Sequence, residues 1–136
     1  MKKLLILFIS TFLVFSPNMA QELTESGKYA FTSETELATV IKQKEIIEFF
    51  NQGIEGSFPG EKNIKIYYKV FRQPEDEKGA IVLSSGRTEG AVKYMETVYD
   101  LYKNGYSVYI HDHRGQGFSG RMTEDPEMGY VDNYQY

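Results

Sequence analysis

The residues best equipped for chemistry gather in one stretch, from Tyr106 to Arg121. A short apolar run, Tyr106 to Ile110, leads into His111, Asp112, His113 and Arg114, followed by Gly115, Gly117, Ser119 and Gly120. Imidazole and carboxylate can move protons, guanidinium can hold anions, and serine can act as a nucleophile. A strand that ends in such a loop is where open α/β sheets place their ligand sites.

Three chemistries compete for this stretch. Gly115 to Gly120 fits G-x-G-x-x-G after a strand, but a dinucleotide loop must open directly into a helix. Here Arg121 to Pro126 follows, with no amphipathic run. Ser119 sits near the pattern of a nucleophile elbow, yet its second glycine is one place early and no histidine lies downstream of it. His111 and His113, two apart on an extended strand end, face one side. They are the chain's 2 histidines and there is no cysteine, so a metal would need ligands of another kind. The residues thus read as a turn-forming loop, with no cofactor and no metal expected. Ser84-Ser85-Gly86-Arg87 is a separate candidate: a glycine just after a strand can aim backbone N–H groups into a cleft, as an oxyanion requires.

The elements that must position these loops follow from periodicity. The chain begins with two lysines and an apolar run from Leu4 to Phe15, ending in small and polar residues to Ala20. That is the pattern of a secretory signal peptide over residues 1–20, too short to span a bilayer. An exported, periplasmic or secreted protein is expected, with no stable membrane span once that segment is removed. Its removal leaves 13 basic against 19 acidic side chains, a formal charge of −6, with no basic patch for nucleic acid.

Residues 21–53 read as a loose leader and then an amphipathic helix. Ser33 and Glu36 have capping-box spacing, and Leu37, Val40, Ile41, Ile47 and Phe50 recur at helical intervals. Residues 54–136 read as α/β. Strands at Glu55–Pro59 and Ile64–Phe71 form a hairpin, and Ala80–Leu83 reads as a strand buried on both faces. A helix follows, with Ala91, Tyr94, Met95, Val98, Leu101 and Tyr102 on one face. Asn104-Gly105 closes it before the strand Tyr106–Ile110. A strand–helix–strand unit of this kind makes parallel pairing.

The order of these elements, with Val82-Leu-Ser-Ser-Gly-Arg-Thr-Glu-Gly90 and His111-Asp-His-Arg-Gly-Gln-Gly-Phe-Ser-Gly-Arg121, resembles one family. It is similar to the α/β-hydrolases of the bacterial lysophospholipase, monoacylglycerol lipase and serine aminopeptidase-like group, over roughly Glu55 to Tyr136. The resemblance implies the N-terminal part of an α/β-hydrolase fold with an incomplete sheet. It implies a lipid or small ester substrate for the completed enzyme, and Arg87 offering its backbone N–H, with Gly86, to an oxyanion. Ser85 stands where the family commonly has histidine. The family's serine, acid and histidine would all follow Tyr136, so the chain is expected to be truncated before the nucleophile elbow and inactive by itself. A non-catalytic or degenerate binding protein is the alternative. The family's next strand would also pair with Ala80–Leu83, whose edge is otherwise expected to be open.

Overall fold

The computed structural model describes residues 4–7 and 29–133, and the rest of the proposed signal peptide lies outside them. Five strands form one mixed sheet: β1 (Leu4–Leu7), β2 (Ile54–Pro59), β3 (Lys65–Phe71), β4 (Gly79–Ser84) and β5 (Tyr106–His111), in the order β1-β4-β5-β3-β2. The hairpin β2–β3 is antiparallel, and β3 pairs antiparallel with β5. The crossover pair β4–β5 is parallel, with Leu83 opposite Ile110 and Ser84 opposite His111. Among the described residues the helices are α1 (Glu34–Leu37), α2 (Val40–Asn51) and α3 (Met95–Lys103), the last entered through a 3-10 turn at Ala91–Tyr94.

One face of the sheet is closed by α2 and α3. Tyr67, Phe71, Ile81, Leu83, Val108 and Ile110 point into it and meet Phe50, Ala91 and Val98. Val98 and Val108 are fully buried. The opposite face is only half-covered among the described residues: Tyr68, Val70, Val82 and Tyr109 are intermediate, and Ile54 and Phe58 are exposed. The expectation that β4 is buried on both faces is therefore corrected. Its burial alternates residue by residue, because the described helices pack on one side of the sheet.

The helical stripe expected before the hairpin is also corrected. Ser33 forms its capping box with Glu36, but Thr39 caps a second helix, so the segment is two helices rather than one. The break rotates the apolar stripe. Val40 (79% exposed) and Ile41 (83%) face solvent, whereas Ile46 and Phe50 are buried at 5% each. Phe49 stacks on Phe71 at 5.1 Å and meets Tyr99 edge-on at 5.4 Å. Tyr99, outside the face expected for α3, is buried and donates to Glu45.

Two further expectations change. The edge of β4 is not open: the backbone of Leu4–Leu7 pairs with it in parallel, Leu4 opposite Ala80 and Leu7 opposite Leu83. An unpaired edge carries a row of free N–H and C=O groups, and an apolar segment can satisfy it. Residues 29–32 are not a loose leader either. Ala30 exchanges hydrogen bonds with the Asn104 side chain (2.9 and 2.6 Å), and Thr32 donates to Asp100 from backbone and hydroxyl.

Candidate functional site

The carboxyl ends of β4 and β5 lie side by side and bring the two candidate loops together. Gln116 ties them: its side-chain nitrogen donates to Gly86 O (3.1 Å), and its oxygen accepts from Thr88 N. Between and beside them opens a cavity of about 430 Å³, lined in part by Arg87, His111, His113 and Arg114.

Asp112 is the structural centre. It is wholly buried, and its carboxylate accepts from Ala91 N at 2.6 Å and from Phe118 N at 2.7 Å. The first bond pins the start of the α3 segment to the end of β5, and the second folds the glycine loop back on the strand. Gly117 takes a positive φ of 46°, and a Cβ there would run into this carboxylate. The glycine is needed for conformation and for space alike.

Ser119 is buried beneath the loop. Its hydroxyl donates to Asp112 O (2.7 Å) and accepts from Tyr67 N (2.9 Å), fastening the loop to β3. Both capacities of the oxygen are engaged by backbone, as a structural serine requires and a nucleophile does not. Gly115 is followed by no helix, since residues 112–133 contain none. Neither the nucleotide motif nor the displaced elbow has the geometry its chemistry needs.

The rings of His111 and His113 stand on one side, 5.2 Å apart and nearly perpendicular. Among the described residues, no cluster of three or more histidine, cysteine or carboxylate side chains is placed to hold a metal. Burial, aided by His113 and opposed by Asp112, holds the His111 pKa below its ordinary value. The chain thus places a neutral imidazole beside the cavity at neutral pH.

Sequence reasoning missed one pair. Ser84 Oγ and His113 Nε2 lie 3.0 Å apart across the parallel strands. Hydroxyl and imidazole at that distance have the geometry of a nucleophile and its base. A triad also needs a carboxylate to orient the imidazole, and the adjacent Asp112 is committed to backbone N–H groups. The parallel register, Ser84 opposite His111, was the signal that could have suggested the contact.

The oxyanion candidates differ from each other. Arg87 N–H has no acceptor among the described residues, whereas Gly86 N–H is occupied by Glu89 Oε2 (3.1 Å) and the Tyr94 hydroxyl (3.3 Å). A carboxylate therefore already sits against half of the proposed donor pair. Glu89 is held there by Lys93 and Tyr94, which with the Gly86 N–H lower its pKa from 4.5 to about 2. Because the folded value lies below the unfolded one, stability from this group is full above about pH 4.5 and is lost as pH falls through about 2. Glu89→Gln is expected to flatten that acid limb of the stability curve between pH 5 and 2. Acid titration of unfolding midpoints checks it, and an unchanged limb would count against Glu89 as its source.

The family described as serine aminopeptidase, S33, matches residues 75–136. A probable lysophospholipase L2 of Haemophilus influenzae is 38% identical over 93 residues, 68% of this chain and 29% of that protein. Lysophospholipase L2 of Escherichia coli K12 is 39% identical over 89 residues, 65% of this chain and 26% of the relative. A monoacylglycerol lipase of Mycolicibacterium smegmatis is 38% identical over 66 residues, 48% of this chain and 24% of the lipase. The chain thus spans less than a third of the curated relatives it matches. The parallel β4–α3–β5 unit and the clamped glycine loop both lie inside the matched region, so it is over residues 75–136 that the chain is similar to the serine aminopeptidase family.

Proposed function

We propose that this chain supplies the N-terminal, oxyanion-bearing part of an exported ester hydrolase acting on lysophospholipids or monoacylglycerols, and that it does not turn over ester by itself. The observation that carries the reading is the turn after β4: an Arg87 N–H without an acceptor among the described residues, at the mouth of a cavity beside the clamped glycine loop. Such a donor stabilises the negative oxygen that develops when a serine attacks an ester carbonyl. The substrate class comes from the relatives, whose names are those of a lysophospholipase and a monoacylglycerol lipase. Among the described residues no helix is long and apolar enough to cross a membrane, and lipid would reach the site through the cavity.

A chimera tests this reading. Residues 54–136 replace the matched segment of the E. coli relative, whose remaining chain is kept, and lysophosphatidylcholine hydrolysis is followed by fatty acid release. The chimera is expected to hydrolyse the lipid, while the 136-residue chain alone leaves p-nitrophenyl butyrate at the heat-killed background. Arg87→Pro in the chimera deletes the N–H and should lower kcat by about 100- to 1000-fold. A folded chimera without turnover would sink the reading.

The Glu89 contact favours a second reading, a non-catalytic hydrolase-like binding protein. A carboxylate fixed on Gly86 N–H competes with any oxyanion for that donor. If this reading holds, the chimera stays inactive and Glu89→Gln does not restore it.

A further inference from the structure

The cavity between the two loops carries a charge pattern that ester hydrolysis does not use. The guanidinium-bearing Arg87 and Arg114 line it, together with the imidazole-bearing His111 and His113. The acids near them are engaged or exposed. Asp112 is engaged by a backbone N–H at each carboxylate oxygen, and Asp132, close enough to feel Arg114, is paired with Lys62. Glu61, the remaining acid of the lining, is exposed on the 3-10 turn before β3.

Arg114 is the decisive residue. Its Nη2 donates to Asn133 O at 2.7 Å, but its Nη1 is buried with no hydrogen-bond partner among the described residues. A buried guanidinium donor left unmatched is costly, and an anion that reached it from the cavity would remove that cost. Arg87 is exposed on the facing loop, with its side chain engaged in no hydrogen bond or ion pair among the described residues. His113 is also exposed and held at the same mouth by Ser84. Donors on separate elements suit a tetrahedral oxyanion with several oxygens. A planar carboxylate would be satisfied by one bidentate arginine. Phe58, Ile66 and Val131 line the same cavity, giving an apolar wall beside the cations.

We infer that Arg114, Arg87 and His113 form a binding subsite for a phosphate oxyanion, with the apolar wall receiving the group esterified to it. This deepens the hydrolase reading, on which its link to lipid substrates rests, because a lysophospholipid carries such a phosphate and a monoacylglycerol does not. The binding itself needs no turnover, so the two ideas fail separately.

Calorimetric titration of the full chain tests it, using sn-glycero-3-phosphocholine, inorganic phosphate, acetate and glycerol as probes. The phosphodiester is expected to bind saturably, with affinity lowered about tenfold or more by either Arg114→Gln or Arg87→Gln. Saturation by inorganic phosphate alone, with the same sensitivity, also supports the subsite and assigns it to free phosphate instead of a lipid headgroup. Acetate binding as tightly as phosphate overturns the proposal. So does binding no stronger than glycerol, or unchanged binding in both variants. Should Arg114→Gln fail to fold, the exposed Arg87→Gln decides. Phosphate binding with an inactive chimera would remove the hydrolase reading and leave the subsite; an active chimera without phosphate binding would do the reverse.

Discussion

Asp112→Ala is expected to lower the unfolding free energy by about 3–5 kcal/mol, the largest loss from any single side chain around the site. The carboxylate is completely buried and is the acceptor for two backbone N–H groups on different segments, Ala91 and Phe118. Alanine leaves both donors without their acceptor, the Ala91 N–H in a buried place and the Phe118 N–H in a half-buried one, and an orphaned buried donor costs about 1–3 kcal/mol. Asp112→Asn keeps one carbonyl oxygen but turns an N–H toward a donor, so it should recover only part of the loss. Urea unfolding followed by circular dichroism measures both. A midpoint shift worth less than about 1 kcal/mol for the alanine variant would mean the clamp is not what holds the glycine loop. Because Gly117 packs against the same carboxylate, adding Gly117→Ala to Asp112→Ala should cost less than the sum of the two alone.

Phe71→Ala should cost a similar amount, about 3–5 kcal/mol, for an apolar reason. Phe71 is 4% exposed and lies between the rings of Phe49 and Phe50, at 5.1 and 5.5 Å. Its removal opens a cavity where α2 meets the sheet, and so loosens the helix as well as the strand. Ile41→Ala is the comparison: at 83% exposure it should change stability by no more than about 0.5 kcal/mol. Equal losses from the two variants would mean that α2 docks through its Val40–Ile41 side after all, contrary to the packing described.

These two expectations also divide what is legible from what is not. The capping box of Ser33 and Glu36, the hairpin strands and the Asn104-Gly105 helix ending are local events. They are decided by residues within one turn of each other, and period and spacing suffice to read them. The face of α2 was misread because the break at Thr39 depends on a hydroxyl competing for the backbone, and periodicity carries no information about that. The edge of β4 was misread for a different reason. Its partner, Leu4–Leu7, lies more than seventy residues away in the chain, and parallel pairing has no local signature.

By itself the sequence determined the α/β order, the loops at the strand ends and a resemblance to one family. It also pointed away from Ser119 and the glycine pattern as chemistry, since no amphipathic run follows Gly120 directly. Tertiary structure alone decided what those loop residues do: Asp112 accepts from Ala91 and Phe118, Ser119 joins Tyr67 to Asp112, and Ser84 meets His113. It also left Arg114 Nη1 buried without a partner among the described residues. The physical reason is that a polar side chain's role is set by which donor or acceptor stands within about 3 Å of it. For these residues that neighbour is supplied by sheet register, across as many as 52 positions of chain in the case of Tyr67 and Ser119.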